Sequence, residues 1–334
     1  MAASVIINQT ACEKIAGRIK GVAFRDSFYS RPFLHTFAPL EIRLRGYYYA
    51  VAICHQTYKL ADPSRNLFGW DYLEAVFGRL INVESVLLEP GLWSSMEIQE
   101  SAITLAGFFP SGDSDGHSSL EDPMERSLLL RELDLYIERN HNGSLVNLSE
   151  SFNSHLIHSG KGYYEELSRV EAFSDPFRKK ISFLIKLLED AGLESIADQE
   201  NMIPIMDYHM QRVLLRLGCI EIKDKLLEDA LKNRTPQRDD IVVREACIEA
   251  FKIIAGISGV RVTRLNDIFW SLGRSCCNEL LLCETGKCEK EPCTFESIVK
   301  TINHSKCYFQ SECTAFTVPE NRKFWQPVVK THYY

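Results

Sequence analysis

The sequence predicts a mainly α-helical protein with a cysteine-rich tail. Apolar residues recur at helical spacing through residues 120–274, and no alternating strand pattern competes with them there. Seven of the 11 cysteines lie between Cys276 and Cys313. The hydrophobic fraction of 45% and the charged fraction of 25% are those of an ordinary globular protein, so a disordered, collagenous or coiled-coil chain is excluded.

Four apolar stripes, each with the i, i+3, i+4 spacing of one helix face, define the predicted helices. They are Phe183, Leu184, Leu187 and Leu188; Met210, Val213, Leu214 and Leu217; Val243, Cys247, Ala250, Phe251 and Ile254; and Leu265, Ile268, Phe269 and Leu272. A glycine predicts the end of each helix. These glycines are, in order, Gly192, Gly218, Gly256 with Gly259, and Gly273.

The pattern predicts four segments along the chain. We expect an N-terminal extension (1–110) that packs on the helical domain, a flexible loop (111–120), the helical domain itself (121–275), and a cysteine-rich metal-binding tail (276–334). No apolar run approaches the roughly 20 residues that a membrane span needs. The first residues also lack the pattern of a secretory signal, so we expect a cytoplasmic protein without a membrane partner.

The net charge is −7, from 38 basic and 45 acidic residues. Non-specific binding to duplex DNA depends on Lys and Arg that neutralise phosphates. The charge balance therefore does not indicate a general DNA-binding surface, although it permits a local basic one.

Asp207 is the first candidate for a catalytic residue. It follows Ile203-Pro-Ile-Met and immediately precedes the stripe that begins at Met210, which is the N-cap position of the predicted helix. A carboxylate there satisfies free amide groups, so the structural interpretation is a helix cap. The same position keeps a carboxylate ionised at the positive end of the helix dipole, where it can stabilise a cationic transition state or activate water.

The segment that starts at Asp207 resembles the catalytic helix of the helix-hairpin-helix DNA glycosylases, the endonuclease III and adenine glycosylase superfamily. The residues that match this family's pattern are Asp207, His209, Arg212, Val213, Arg216, Leu217 and Gly218. The resemblance implies a glycosylase-like helical fold. It also implies that Asp207 is the carboxylate for cleavage of an N-glycosidic bond.

The cysteine tail extends this resemblance. Gly273-Arg274 is followed by Cys276-Cys277, as the family's last helix is followed by its iron–sulfur loop, and Cys307 and Cys313 match the last two ligands of that loop. The resemblance implies a [4Fe–4S] cluster held by four thiolates. The candidate ligands are Cys277, Cys283, Cys288, Cys293, Cys307 and Cys313. Cys276 and Cys283, with six residues between them, are an alternative opening pair, and the sequence does not choose four of the seven cysteines. Zinc is the alternative metal, because thiolate-rich tetrahedral sites also suit it.

The connection before Asp207 differs from the family. DNA-reading members carry a glycine-rich hairpin that binds phosphate, whereas residues 192–204 contain one glycine, two Glu and one Asp. Acidic side chains repel phosphate. The catalytic Lys of the bifunctional members is also missing, so we expect a monofunctional enzyme without lyase activity.

A second resemblance is to the queuosine-salvage nucleotide N-glycosidases, which act on a free nucleotide and share the helical fold. It depends on Asp207-Tyr208, on Arg244 in a later helix, and on Asp267 shortly before Trp270. Asp267 is therefore the second candidate catalytic residue. The structural interpretation is that it is an ordinary helix residue exposed to solvent. Two carboxylates can divide the stabilisation of an oxocarbenium-like sugar and the orientation of water.

Four residues are candidates for substrate binding. His209 lies in the matched helix. Lys180 is the last residue of the basic run Arg178-Lys179-Lys180 and could contact a phosphate; the structural interpretation is that the run is exposed to solvent. His55 and Trp70 could read or stack on an extruded base. The structural interpretation of aromatic residues such as Trp70 is that they pack in the core.

Together these features predict an N-glycosidase that hydrolyses the base–sugar bond of a modified or damaged base in DNA, a repair activity that requires the base to be flipped out of the duplex. One alternative is an N-glycosidase that acts on a free modified nucleotide, which the net charge and the acidic connection favour. The other is a non-catalytic nucleic-acid-binding module in which the metal centre is structural.

Overall fold

The protein is mainly helical, as predicted from the apolar stripes. The computed structural model describes residues 4–112, 117–301 and 304–334. The central part of the predicted loop, residues 113–116, lies outside the described residues. None of the described helices combines the length and the apolar character that crossing a membrane requires.

The chain before residue 203 forms ten helices and three short strands within its described residues. They are β1 (Val5–Ile7), α1 (Gln9–Ile19), α2 (Asp26–Tyr29), α3 (Leu40–Ala52), β2 (Ala61–Asp62), β3 (Leu67–Phe68), α4 (Trp70–Asn82), α5 (Leu92–Ser95), α6 (Ile98–Gly107), α7 (Pro123–His141), α8 (Leu145–Ser151), α9 (Tyr163–Leu167) and α10 (Lys179–Asp190).

The chain after residue 203 continues with helices and one further strand. They are α11 (Tyr208–Leu217), β4 (Ile220–Ile222), α12 (Lys225–Lys232), α13 (Ile241–Ser258), α14 (Val262–Arg274), α15 (Leu282–Thr285), α16 (Thr294–Ile298) and α17 (Thr314–Thr317).

These elements form two compact units. The first contains Met1–Tyr29 and Ile203–Lys330, and the second contains Ser30–Met202 and Thr331–Tyr334. The N-terminal strand and first two helices thus belong with α11 and the cysteine tail. The sequence-based boundaries near residues 110, 120 and 275 stay predictions.

In the first unit, segments far apart in sequence pack on each other. Strand β1 pairs antiparallel with β4, and Ile6 lies opposite Glu221. Helix α1 packs on α13 through a face that buries Ile15 and Ile19 completely. Helix α11 packs on α14, so the segment that begins at Asp207 lies against the helix that carries Asp267.

In the second unit, α3 is the central helix. It packs on α4, α7, α8 and α10, and its aromatic run Tyr47-Tyr48-Tyr49 is fully buried. A helix that is covered all round must also pair its buried charges. Accordingly, the Nη1 of Arg45 lies 3.2 Å from Oδ1 of Asp134 on α7.

All four predicted helices are present, with small differences at their ends. They are α10, α11, α13 and α14, and almost all of their stripe residues are buried. Helix α13 continues through Gly256 and ends at Gly259, whose φ of 70° requires the left-handed conformation that glycine adopts easily. Gly256 was therefore wrong as a stop, because a glycine inside a helix weakens it without ending it.

Gly273 permits the close contact between α14 and α11. A Cβ atom at this position would lie 2.7 Å from the backbone oxygen of His209. The helices can approach this closely only because residue 273 has no side chain. Gly273 therefore has a packing role in addition to its place near the end of α14.

We expect Gly273→Ala to destabilise the protein by about 1–3 kcal/mol, because the added methyl group forces α11 and α14 apart. Gly256→Ala is the matched control. It lies inside a helix with nothing within 4 Å of its Cβ position, so alanine should stabilise the protein by about 0.5–1 kcal/mol. Urea denaturation followed by circular dichroism measures both, and equal effects of the two substitutions would contradict the packing role of Gly273.

Candidate functional site

Asp207 forms the N-cap of α11, as the sequence predicts. Its Oδ1 accepts a hydrogen bond from the backbone N–H of Met210 at 3.0 Å, and only 8% of the residue is exposed. A residue of α13 fixes the backbone just before Asp207, because Nε of the buried Arg244 donates to the carbonyl of Met206 at 3.1 Å. The Asp207 carboxylate is thus fixed at the positive end of a helix dipole.

Asp267 lies on α14, which packs on α11, and it is 3% exposed. The structural interpretation of a solvated helix residue therefore does not hold. Its Oδ2 accepts a hydrogen bond from the hydroxyl of Tyr29 at 2.9 Å, and the guanidinium of Arg264 lies 3.3 Å from the centre of the Tyr29 ring. The two candidate carboxylates therefore lie on neighbouring helices of one unit, and each has a defined hydrogen-bond partner.

His209 lies between α11 and α14. Its Nδ1 is 3.0 Å from Nη2 of Arg212 and 3.3 Å from the carbonyl of Gly273. Burial and the nearby Arg212 charge hold the pKa of His209 well below its ordinary value, so the ring is neutral at physiological pH. These contacts give His209 a packing role, and its substrate-binding role stays a prediction.

Two buried arginines of α11 bind the backbone of the cysteine tail. Nε of Arg212 donates to the carbonyl of Cys277 at 3.3 Å, and its Nη2 donates to the carbonyl of Gly273 in α14 at 2.7 Å. Nη1 of Arg216 donates to the carbonyls of Cys277 and Asn278 at 2.9 and 2.8 Å. The arginines that match the glycosylase pattern thus attach the tail to the helix that Asp207 caps.

A group of four potential metal ligands lies at the start of the tail. Their ligand atoms all lie within 4.8 Å of one another, and the residues are Cys276, Cys288, Cys293 and His304. At a zinc–sulfur distance of about 2.3 Å, tetrahedral ligands lie roughly 3.8 Å apart. The sulfurs of Cys276 and Cys293 are 3.5 Å apart, so this Cys₃His group could bind a metal ion with little rearrangement.

The residues around the Cys₃His group suit metal binding. The Nδ1 of His304 faces Oε1 of Glu296 at 3.6 Å, while its Nε2 is buried without a hydrogen-bond partner. A carboxylate on one ring nitrogen commonly orients a histidine so that the other can bind metal. The hydroxyl of Ser275 lies 3.4 Å from the sulfur of Cys293 and 3.7 Å from that of Cys276.

The thiols of this group are also disposed to ionise. Hydrogen bonding with the Cys276 thiol lowers the pKa of Cys288 to about 5 and that of Cys293 to about 7. The same interactions raise the pKa of Cys276, which keeps the shared proton. Since metals bind thiolates, two of the three sulfurs are partly prepared for an ion at neutral pH.

The Cys₃His group contains Cys288 and Cys293 from the predicted ligand set, together with two residues that the set omits, Cys276 and His304. The other predicted ligands, Cys277, Cys283, Cys307 and Cys313, are not part of it. All eleven cysteines are free thiols. The presence of His304 within the cysteine tail could have indicated its role as a ligand. The predicted set omitted it because an iron–sulfur cluster of the expected type is held by four thiolates.

The remaining candidate substrate-binding residues belong to the second unit. Lys180 is fully buried, and its Nζ donates to the carbonyl of Ala52 at 2.5 Å near the end of α3. Burial lowers the pKa of Lys180 to about 7. Lys180 is therefore not part of a solvent-exposed basic run, which was its structural interpretation. Contact between Lys180 and a phosphate stays a prediction.

His55 and Trp70 both pack within the second unit. His55 is 2% exposed, and burial lowers its pKa far enough to keep the ring neutral. Trp70 is half-buried, packs edge-on against Phe183 at 4.6 Å between ring centres, and donates from Nε1 to Oε2 of Glu74 at 2.7 Å. These contacts agree with core packing and leave a role in base recognition untested.

Comparisons with known proteins do not identify a family. No protein-family model matches the chain, and no curated protein matches it significantly.

We expect Cys288→Ala and His304→Ala each to reduce the affinity for zinc by more than the roughly 10–100-fold that loss of an outer-shell partner costs. Competition with a chromogenic chelator measures this affinity. Cys247→Ala is the control, because Cys247 is buried in α13 and is not part of the Cys₃His group. Unchanged zinc affinity in both ligand variants would show that the group does not bind the ion.

Proposed function

We propose that the protein is an N-glycosidase that hydrolyses the bond between a modified nucleobase and its sugar. The observation that supports this most is the buried carboxylate of Asp207 at the N-cap of α11, with Asp267 on the adjoining helix. Two carboxylates exposed to solvent would be ordinary, because water stabilises their charge. Two almost fully buried ones on packed helices are costly unless they are hydrogen-bonded, and such groups concentrate at functional sites.

In this proposal Asp207 stabilises the positive charge that develops on the sugar as the base leaves, and it helps to activate water. Such electrostatic stabilisation works best when the group is fixed in advance. The hydrogen bond to the Met210 amide and the support of Met206 by Arg244 provide that fixation. Asp267, oriented by Tyr29, would orient water or a sugar hydroxyl.

The reaction would be hydrolysis alone. Bifunctional glycosylases use a lysine amine to form a Schiff base with the sugar. The connection between α10 and α11 contains no lysine between residues 191 and 207. Water is therefore the nucleophile in this proposal.

The acidic residues of that connection favour a free nucleotide as the substrate over DNA. Asp198 accepts hydrogen bonds from the amides of Leu156 and Ile157 at 2.7 and 3.1 Å, and Glu194 accepts one from the hydroxyl of Ser154 at 2.8 Å. In the DNA glycosylases that this chain resembles, the hairpin amides bind phosphate. Here the carboxylates of the connection accept hydrogen bonds from the chain itself. Their negative charge would repel the phosphates of a DNA backbone.

We further propose that zinc occupies the Cys₃His group and is structural. A closed set of four protein ligands is typical of structural zinc, because catalytic zinc keeps a position open for water. The ion would connect Cys276, which lies two residues after the end of α14, to α16 and to His304. Its role would be to fix the tail against the helix that carries Asp267.

We expect Asp207→Asn to reduce the rate of base release by roughly 10²–10⁴-fold, because the amide cannot stabilise a cation. Folding should persist, since Asn caps helices about as well as Asp. Asp224→Asn is the matched control, as Asp224 caps α12 through the amides of Leu226 and Leu227 and is not proposed to act in catalysis. Chromatography of the released base measures the rate. Equal activity of Asp207→Asn and the wild type would favour a non-catalytic binding module.

The two substrate classes can be separated by salt dependence. We expect hydrolysis of a modified nucleoside 5′-monophosphate to change little between 50 and 200 mM salt. A DNA-binding enzyme with 6–10 phosphate contacts would lose about 10³–10⁵-fold in affinity over the same range. Matched assays use the free nucleotide and an oligonucleotide that carries the same base. Cleavage of the oligonucleotide alone, with a steep loss at high salt, would identify DNA as the substrate instead.

A further inference from the structure

Two sulfurs of the Cys₃His group are in contact. The Sγ atoms of Cys276 and Cys293 are 3.5 Å apart, and the two residues are only 3% and 5% exposed. In a disulfide the sulfurs lie about 2.05 Å apart, so a movement of roughly 1.5 Å would allow them to bond. The same two sulfurs can therefore bind a metal ion as thiolates or bond to each other, but they cannot do both.

The packing of α14 and α16 fixes both cysteines. Cys276 lies two residues after the end of α14, and Cys293 is the N-cap of α16, which packs on α14. The hydroxyl oxygen of Ser275, which is near both sulfurs, accepts a hydrogen bond from the amide of the buried Phe295 at 3.3 Å. The protein's own packing thus holds the two sulfurs against each other.

The rest of the Cys₃His group is accessible to solvent. Cys288 and His304 are each partly exposed, and Lys287 and Glu289, which flank Cys288, are exposed. The oxidation of cysteine depends on access of the oxidant to the sulfur. A molecule as small as hydrogen peroxide can therefore reach the group at Cys288 and His304, next to the buried pair of sulfurs.

The segment that follows α16 is attached to the N-terminal part of the same unit. The amide of Arg25 donates to the carbonyl of Ile298 at 2.8 Å, and the amide of Lys300 donates to the carbonyl of Ala23 at 2.9 Å. Helix α2, which follows directly, packs on α16. A link between α14 and α16 therefore also supports α2.

Helix α2 leads back to α14. It ends at Tyr29, whose hydroxyl donates to the carboxylate of Asp267 on α14 at 2.9 Å. The contact between Cys276 and Cys293 thus closes a ring of interactions from α14 through α16 and α2 to α14 again. A zinc ion and a disulfide would each close this ring, but only the ion would also hold Cys288 and His304.

We propose that the Cys₃His group is a site of oxidation, at which a peroxide joins Cys276 to Cys293 in a disulfide and thereby releases the zinc ion. Cys288 and His304 then remain, and two ligands are too few for a structural zinc site. These two residues lose their link to the unit, while α14 and α16 stay joined. This inference rests on the zinc binding proposed above and is independent of the glycosidase activity.

The reaction consumes one hydrogen peroxide for each disulfide. One thiolate attacks the peroxide, which breaks the O–O bond and gives a sulfenic acid and hydroxide. The second thiolate then displaces hydroxide from that sulfur and forms the S–S bond. Both hydroxides take up a proton and leave as water. The two sulfurs supply both electrons, so zinc leaves as Zn²⁺, and a thiol reductant reverses the change.

The first test measures zinc release from the full chain loaded with zinc. Hydrogen peroxide, added with a chromogenic chelator, should release about one zinc per chain. Dithiothreitol should then restore zinc binding. Mass spectrometry of the oxidised protein, after alkylation of the remaining thiols, should find Cys276 joined to Cys293.

The outcomes separate this inference from the zinc binding on which it rests. Zinc that stays bound in excess peroxide, or zinc release without the Cys276–Cys293 disulfide, would overturn the inference alone. A reduced chain that binds no zinc would overturn the structural zinc itself and this inference with it.

Two matched variants identify the pair of sulfurs. Aspartate is also a zinc ligand, so Cys293→Asp and Cys288→Asp should both bind zinc, and position 293 suits aspartate because it is a helix N-cap. Cys288→Asp keeps the two contacting sulfurs and should release zinc on oxidation as the wild type does. Cys293→Asp lacks one of them and should keep its zinc. Equal release from the two variants would contradict the assigned pair.

Hydrogen exchange of the wild type covers the case in which a variant does not bind zinc. The peroxide-treated chain should exchange faster around Cys288 and His304, with unchanged exchange in α2 and α16. The reduced chain, freed of zinc by a chelator, should also exchange faster in α2 and α16, because neither an ion nor a disulfide then joins α14 to α16. Equal exchange of the oxidised and the zinc-free reduced chains would contradict the role of the disulfide.

Discussion

The hydrogen bonds from Arg212 and Arg216 to the cysteine tail are the interaction on which the rest of this unit depends. Both guanidinium groups are buried. They donate to the carbonyls of Cys277 and Asn278 in the tail, and Arg212 also donates to the carbonyl of Gly273 in α14. Removing one partner of a buried charged hydrogen bond is expensive, because the other group stays buried without compensation. The ring of Trp325 lies 4.2 Å from the guanidinium of Arg212 and further limits its movement.

These contacts connect the carboxylate site to the Cys₃His group. Asp207 begins the helix that carries the two arginines, and Cys276 and Cys277 follow the helix that carries Asp267. A change in the Cys₃His group would therefore affect the ends of α11 and α14 that adjoin the tail.

The sequence predicts local structure well and long-range pairing poorly. Helices α11 and α14 follow from apolar spacing because a helix is formed by residues close in sequence. The pairing of Ile6 with Glu221 joins segments more than two hundred residues apart, and no local pattern indicates it. The Cys₃His group shows the same limit. Residue type predicts that the tail binds metal, but only the folded chain brings His304 to Cys276.

The buried basic residues also bear on the substrate of the proposed N-glycosidase. An acidic protein can still bind DNA if its arginines and lysines are gathered on an exposed face. In this chain the basic residues of the matched segments are instead buried: Arg212, Arg216 and Arg244 donate to backbone carbonyls, and so does Lys180 in the second unit. Basic residues that stabilise the fold in this way cannot also track a long phosphate backbone. A substrate with a single phosphate needs far fewer cations. Under the proposed N-glycosidase activity, a free nucleotide therefore agrees better than duplex DNA with the burial of these four residues.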